Sequence, residues 1–213
     1  MSQSVNNLEN NPSFERDWHA YYSAVKGRPP RDTLLTALAN FDREISDSDS
    51  SRFAIDLGCG NGRDTIELLH RGWQVLAIDG EQEGINRLLS NPNVDRQQLQ
   101  TDLMKFESLV LPKSVDFINA SFSLPFCQSQ YFPKLWDTIV TSLRSGGRFS
   151  GQLFGDRDSW AIDSSANYHT RQEIEGLLQY FVIEMLEEEE HPGQTALNEE
   201  KYWHIFQIVA RKQ

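Results

Sequence analysis

One short stretch constrains this chain more than any other: Asp56-Leu-Gly-Cys-Gly-Asn-Gly62. It begins at the end of the apolar run Phe53–Leu57 and precedes a helical pattern over Asp64–His70. Glycine adopts positive φ angles and has no Cβ, so three glycines at alternate positions let the backbone approach a ligand closely. A helix that begins behind such a loop presents unpaired N–H groups and the positive end of its dipole. The stretch therefore predicts a ligand site built as strand, loop and helix.

The spacing of the glycines separates two kinds of cofactor site. A dinucleotide-binding loop places a glycine or alanine three residues after its second glycine, where the helix packs closely on the strand. That position is Arg63 when the count starts at Gly58, and Thr65 when it starts at Gly60. Neither residue allows that packing, so an NAD-dependent oxidoreductase is the less favoured alternative.

From Arg52 onward, short apolar runs alternate with helical patterns, which is typical of a parallel sheet with right-handed crossovers. The last third differs, because two strand-like runs follow each other with a turn-like segment starting at His191-Pro-Gly193 between them, and this predicts an antiparallel hairpin. Thr170-Arg-Gln-Glu173 has the capping-box pattern of a helix start.

The predicted strands are Phe53–Leu57, Trp73–Ile78, Leu99–Thr101, Val115–Ala120, Arg148–Phe154 (entered through the turn Ser145–Gly147), Phe181–Glu187 and Tyr202–Ala210. The predicted helices are Phe14–Tyr22, a second with Leu34, Leu35, Leu38 and Phe41 on one face, Asp64–His70, Glu81–Leu89 and Leu135–Leu143.

These features resemble class I S-adenosylmethionine-dependent methyltransferases. The stretch Ala54–Asp64 is similar to the first motif of that family, and Asp79 ends the second strand, where the family binds the ribose hydroxyls. The resemblance implies an α/β fold with a doubly wound, mostly parallel, seven-stranded Rossmann-like sheet, ending in an antiparallel β-hairpin and carrying an N-terminal helical cap. It implies S-adenosyl-L-methionine as cofactor, bound by Asp56, Gly58, Cys59, Gly60, Gly62, Asp79, Gly80, Asp102, Leu103, Ala120 and, at the cofactor's carboxylate, Arg28.

The family transfers a methyl group by in-line displacement, and we expect the acceptor here to be a small molecule. Within the family, the aromatic N-terminal helix resembles the tellurite-resistance and thiopurine methyltransferase group. Aromatic side chains near the carboxyl ends of the strands are candidates for the acceptor pocket, although ordinary core packing explains each of them as well. These are Trp18, Tyr21, Tyr22, Phe122, Phe126 and Trp160. His169 and Tyr22 are the candidate catalytic acid–base groups, with His204 a further histidine of interest, and no metal site is predicted.

Charge and composition narrow the partners. The chain has 31 acidic and 20 basic residues, a net charge of −11, so nucleic acid and polyanionic acceptors are disfavoured and a small neutral or cationic acceptor is favoured. No apolar run approaches the ~20 residues that span a bilayer. The two cysteines and the polar first residues suggest a cytoplasmic protein without a signal peptide. We expect one domain over 1–213, with a tail and cap at 1–51 and the core at 52–213.

A non-catalytic module that binds S-adenosylmethionine and regulates a partner is a second alternative. An intact glycine loop and Asp79 are equally compatible with it.

Overall fold

The computed structural model describes residues 17–44, 52–162 and 166–213, without the side chain of Ile162. Phe14, at the start of the first predicted helix, and the last residues of the predicted cap, 45–51, lie outside these residues. Within them the chain forms one sheet packed between helices. The strands are β1 Phe53–Leu57, β2 Gln74–Asp79, β3 Leu99–Leu103, β4 Val115–Ala120, β5 Leu143–Gly155, β6 Tyr168–His169, β7 Phe181–Gln194 and β8 Glu200–Lys212. The helices are α1 Trp18–Ala24, α2 Asp32–Asp42, α3 Arg63–His70, α4 Gln82–Ser90, α5 Phe132–Ser142, α6 Ser159–Ile162 and α7 Arg171–Leu177.

The strand order is β3-β2-β1-β4-β5-β8-β7, with the short β6 added beside the end of β5. Strands β1 to β5 run parallel, whereas β8 is antiparallel to both β5 and β7. The doubly wound α/β fold class and the closing antiparallel hairpin are therefore confirmed. The predicted number of seven strands was wrong, because the short β6 pairs with the end of β5 and gives the sheet eight strands among the described residues. Since the order reverses between β1 and β4, the crevice where ligands bind in such folds lies beyond the carboxyl ends of these two strands.

Two apolar layers hold the helices to the sheet. On one face α5 and α7 pack on the inward side chains of the central strands, for example Ile139 and Ile174 against Ile118. On the other face, α2 contributes Leu38 and α3 contributes Leu68 to a second apolar cluster, together with Ala54 and Phe117 of the strands. Near-continuous burial of β1 and β4 is typical of parallel strands that are covered on both sides.

The structure corrects the hairpin connection. His191-Pro-Gly193, predicted to be turn-like, lies in β7, where Pro192 is paired with Tyr202. Proline lacks the N–H that a central strand must donate, but β7 is the edge of the sheet, where that loss is tolerated. Both hairpin strands are consequently longer than predicted.

Two further predictions of local structure were wrong. Ser145–Gly147 is not a turn ahead of the fifth strand but part of β5, which begins at Leu143, the predicted end of the preceding helix. The pairing of β4 with β5 is irregular between Val115 and Phe117, and Gly146 has a positive φ of 76°, so the strand absorbs the glycines as an irregularity. Tyr168 and His169, which lie in none of the predicted strands, form β6.

None of the helices in the described residues is long and apolar enough to cross a membrane.

Candidate cofactor and acceptor site

The glycine loop runs from the end of β1 to the start of α3. Gly58, Gly60 and Gly62 have φ angles of 69°, 54° and 88°, a left-handed conformation that side chains disfavour. A Cβ at Gly58 would overlap the side chain of Ser123, and one at Gly62 would overlap that of Leu88. The glycines are therefore required both by backbone conformation and by close packing.

Asp79, at the end of β2, is bonded to this loop. Its carboxylate accepts the N–H of Gly60 at 2.7 Å and the N–H of Glu81 at 2.8 Å. Burial raises the pKa of Asp79, and these backbone hydrogen bonds act in the opposite direction. Asp79 thus joins the loop after β1 to the start of α4, rather than only capping α4.

Asp56 lies behind the loop in a buried polar network. Its carboxylate accepts hydrogen bonds from the Thr65 hydroxyl at 2.6 Å and from the Asn119 amide at 2.9 Å. The same amide donates to Asp64, which also accepts from Ser121. Burial, followed by the charge of Asp64, raises the pKa of Asp56 to about 7. Both oxygens of Asp56 are therefore used within the fold, where they connect β1, α3 and β4.

Apart from Arg28, the other predicted cofactor residues lie at or directly after the carboxyl ends of β1 to β4. Cys59 is buried in the loop, and burial raises the pKa of its thiol well above the usual range, which favours the neutral thiol over the thiolate. Asp102 and Leu103 end β3, next to β2, and Leu103 is 51% exposed. The last three predicted cofactor residues are Gly80, exposed directly after β2, Ala120, buried at the end of β4, and Arg28, exposed between α1 and α2.

Helix α1 lies across the glycine loop. A Cβ at Gly60 would be 3.2 Å from the ring of Tyr22, and Asn61 donates to the Tyr22 carbonyl at 3.3 Å. His19 holds the same helix to α4 through Glu83, at 2.8 Å. Burial raises the pKa of Tyr22, so its hydroxyl stays protonated.

The predicted aromatic residues form a connected group at this edge. Trp18 contacts Phe126 with ring centroids 5.5 Å apart, and Phe126 contacts Trp160 at 6.1 Å. Phe154 and Trp203, which sequence reasoning missed, continue the group from β5 and β8 at 5.8 Å and 5.9 Å from Trp160. We call these five residues the aromatic wall.

A buried ion pair fixes one side of the wall. Lys201 of β8 pairs with Asp158 of the loop after β5, and both side chains are fully buried. The Lys201 ammonium lies 3.8 Å from the centroid of Trp160. Asp158 also accepts the N–H groups of Trp160 and His204, so one carboxylate joins this loop to β8. Neither Lys201 nor Asp158 belongs to a sequence motif, and only the pairing of distant segments identifies them.

The structure places the candidate histidines away from the glycine loop. His169 packs on Phe132 of α5 at 4.7 Å, and burial lowers its pKa. His204 comes within 4.8 Å of Glu188 and Glu190, a grouping that could hold a metal ion. The Arg157 guanidinium already binds both of these carboxylates, which supplies the positive charge that the group needs.

The glycine loop and the strands around it match a known family. Residues 54–147 fit a family model described as a methyltransferase domain. This stretch of the chain is therefore identified as a methyltransferase domain. The matched stretch runs from β1 into β5 and so includes the glycine loop, Asp79, Asp102 and Ala120. The predicted relationship to class I methyltransferases is confirmed.

Solved structures share the fold of this methyltransferase domain. TehB from Haemophilus influenzae is 17% identical with a TM-score of 0.71, covering 86% of this chain and 62% of that one. The N-methyltransferase NodS from Bradyrhizobium japonicum, solved with S-adenosyl-L-homocysteine, is 15% identical with a TM-score of 0.62, covering 84% and 83%. A Burkholderia thailandensis 1,6-didemethyltoxoflavin-N1-methyltransferase, solved with its substrate and S-adenosylhomocysteine, is 18% identical with a TM-score of 0.61, covering 92% and 80%.

One curated relative matches over part of its length. Hemagglutinin 1 of Eikenella corrodens is 27% identical over 93 residues, which is 44% of this chain and 31% of that protein. The match therefore spans less than a third of the relative.

Proposed function

We propose that this protein binds S-adenosyl-L-methionine and catalyses transfer of its methyl group to a small-molecule acceptor. One observation carries the proposal: within the methyltransferase domain, a left-handed glycine loop is bonded directly to the Asp79 carboxylate at the carboxyl edge of the sheet. The structures of NodS and of the toxoflavin methyltransferase, both with S-adenosylhomocysteine, support it by their shared fold.

The residues at this edge fit such a cofactor. The glycine loop presents backbone without Cβ atoms, and Asp79 offers carboxylate oxygens that can accept hydrogen bonds from ribose hydroxyls. Exposed Leu103 gives apolar surface for an adenine ring on the neighbouring strand. Arg28 supplies a positive charge for a carboxylate. Gly58, Cys59, Gly60, Gly62, Gly80, Asp102 and Ala120 complete the proposed cofactor site, with Asp56 supporting it from behind.

When bound, this cofactor supplies an electrophilic methyl group. The chain's own contribution is orientation and the exclusion of water, which in favourable intramolecular reactions together lower a barrier by roughly 7–11 kcal/mol. We assign the orientation of the acceptor to Trp18, Tyr21, Tyr22, Phe122 and Trp160. Because the Tyr22 hydroxyl stays protonated, it can donate a hydrogen bond but not act as a general base.

The same proposal covers the organisation and location of the chain. We propose that residues 1–213 belong to one domain, because within the described residues α2 packs on β5. Thr33 accepts a hydrogen bond from the Gln152 side chain, and the Arg148 guanidinium lies over the ring of Phe41. Two free, buried cysteines, Cys59 and Cys127, support a reducing, cytoplasmic environment. The absence of a basic cluster in the sequence argues against nucleic acid as partner.

Calorimetry and turnover test the function separately. We expect S-adenosylhomocysteine to bind and NAD not to bind, because the loop lacks the third small residue of a dinucleotide site. We expect release of S-adenosylhomocysteine with at least one member of a panel of thiol, phenol, amine, selenite and tellurite acceptors. Binding of NAD alone would indicate an oxidoreductase, and cofactor binding without turnover across the panel would indicate the regulatory module.

Asp79→Ala tests the cofactor site. We expect its affinity for S-adenosylhomocysteine to fall by about 1–3 kcal/mol, since a charged hydrogen-bond acceptor is lost. Asp137→Ala, which removes an exposed carboxylate from α5, is the matched control and should bind as the wild type does. Equal affinities in all three proteins would show that the ribose is not bound by Asp79.

A further inference from the structure

Three arginines cluster beside the glycine loop of this acidic protein. Arg28 and Arg31 lie between α1 and α2, and Arg63 is the first residue of α3. Arg63 donates a hydrogen bond to the Pro29 carbonyl, which brings α3 to the segment that carries Arg28 and Arg31. Burial is the main cause that lowers the pKa of Arg31 and of Arg63, and the neighbouring guanidinium groups lower it further, whereas Asp64 raises it. A group of positive charges at this edge can receive a negatively charged ligand.

Arg31 is the member of this cluster that contacts the aromatic side chains. Its guanidinium lies over the ring of Phe122, 4.3 Å from the centroid, and hydrogen-bonds to the side chain of Tyr21. Arg31 and Phe122 also line a cavity of about 100 Å³, whose walls include Gln152 and Gln207. A guanidinium stacked on a ring keeps its edge N–H groups available for a planar anion such as a carboxylate.

Asp64 is the nearby carboxylate whose charge raises the pKa of Arg31, but its oxygens are bonded to groups other than the Arg31 guanidinium. Asp64 accepts the backbone N–H of Arg31 at 3.0 Å, and its other oxygen accepts from Asn119 and Ser121. Within residues 17–44, 52–162 and 166–213, the guanidinium forms no ion pair with any carboxylate, including Asp32, Glu187 and Glu189, which line the same cavity.

Arg148 of β5, a buried arginine, is neutralised. It pairs with Glu44 at 2.7 Å and with Glu184 at 2.8 Å. The half-buried, stacked guanidinium of Arg31 differs from that arrangement.

We propose that the methyl acceptor carries a carboxylate or a similar single negative charge, and that Arg31 binds this group beside the ring of Phe122. This inference rests on the proposed methyl transfer and specifies its substrate class. The net charge of −11 favours a neutral or cationic acceptor at long range. Screening limits that field to about 8 Å at physiological ionic strength, so contacts inside the site decide which acceptor binds.

The carboxylate of the cofactor is the competing source of negative charge. If Arg31 served the cofactor alone, a second anion would be displaced once the cofactor site is filled. If Arg31 serves the acceptor, the anion and the cofactor product bind together.

Calorimetry with benzoate and benzamide distinguishes these cases, because the two compounds have nearly the same shape and differ in charge. In the presence of saturating S-adenosylhomocysteine, we expect benzoate to bind at least about tenfold more tightly than benzamide, as a charge-assisted hydrogen bond predicts. Arg31→Gln should remove this preference and leave the affinity for benzamide unchanged. Arg31→Lys, which keeps the charge but not the planar fork, should retain part of it.

Arg52→Gln is the matched control, because Arg52 also stacks on aromatic rings, those of Phe41 and Trp73, on the opposite part of the fold. It should keep the preference for benzoate. Equal or absent binding of the two compounds, or displacement of benzoate by S-adenosylhomocysteine, would overturn the proposal for Arg31. Failure of S-adenosylhomocysteine to bind would instead count against the cofactor assignment, and benzoate binding without it would still report on Arg31.

Discussion

At the scale of single residues, buried carboxylates are the most unusual feature of this domain. Asp56, Asp64 and Asp79 are all buried within the region between the first two strands and α3. Each accepts several hydrogen bonds, which offsets part of the cost of removing a carboxylate from water. Asp56 and Asp64 share the Asn119 amide, and the nearby charge of Asp64 adds to the effect of burial in raising the pKa of Asp56.

This burial predicts how stability depends on pH. The folded state holds a proton on Asp56 up to a pKa of about 7, whereas the unfolded chain releases it near the ordinary value of 3.8. Between these two values the folded state binds more protons, so the free energy of unfolding contributed by Asp56 falls as pH rises and levels off above about 7. Asp56→Asn, which cannot ionise, removes this loss.

Urea unfolding at pH 5 and pH 7.5 provides the measurement. From pH 5 to pH 7.5, the free energy of unfolding of Asp56→Asn should rise by about 2 kcal/mol relative to that of the wild type, since one pKa unit corresponds to about 1.4 kcal/mol. Asp137→Asn, on the exposed face of α5, should follow the wild type at both values. Parallel profiles for Asp56→Asn and the wild type would mean that Asp56 is ionised in the fold.

At the scale of elements, the site is assembled from segments that follow different strands. The loop after β1 is hydrogen-bonded to Asp79 at the end of β2, and Ser123 after β4 donates to the carbonyl of Leu57. Helix α1 lies against the same glycine loop. Gly58 is central, because its missing Cβ leaves the space that the Ser123 side chain fills.

A series of alanine substitutions separates conformation from packing. Gly176 in α7 has open space and no positive φ, so Gly176→Ala should raise stability by up to about 1 kcal/mol. Gly72 has open space around the position of a Cβ but a φ of 77°, so Gly72→Ala should lower the free energy of unfolding by about 1–2 kcal/mol. Gly58→Ala adds a steric overlap to a positive φ, and we expect it to lose more stability than Gly72→Ala.

Denaturant unfolding and calorimetry with S-adenosylhomocysteine check this series. Only Gly58→Ala should also lose cofactor affinity, because only its loop moves. If Gly58→Ala matched Gly72→Ala in stability and bound the cofactor normally, Ser123 would not constrain the loop.

At the scale of the whole molecule, a continuous sheet from β3 to β7 joins the cofactor side to the hairpin. The described cap helices pack on this body: α1 on α4 through Glu83, and α2 on the sheet through Leu34 and Leu38. We therefore expect cap and core to unfold together.

Thermal unfolding should show a single transition that S-adenosylhomocysteine shifts upward. At a concentration of 100 times Kd, the ligand adds about 2.7 kcal/mol to the free energy of unfolding. This corresponds to a rise in Tm of roughly 5–10 °C for a chain of this size. NAD should cause no shift, and Asp79→Ala should reduce the shift obtained with S-adenosylhomocysteine. Two separate transitions would show that the cap is an independent unit.

The sequence itself determined the features that depend on neighbouring residues. β1 and β4 were predicted with their observed bounds, and the capping box of Thr170 and Glu173 forms as expected. Glycine spacing, apolar alternation and capping are local properties, and they were sufficient for the fold class and for the methyltransferase domain.

Only the tertiary structure decided which distant side chains meet. Lys201 pairs with Asp158, 43 residues away in sequence, and Asn119 bridges Asp56 and Asp64. Arg31 lies over Phe122 because the cap returns to the carboxyl edge of the sheet. These contacts depend on strand order and helix packing, which no local pattern encodes. The glycine loop thus identifies the methyltransferase domain, whereas the packed fold brings together the groups proposed to select the acceptor.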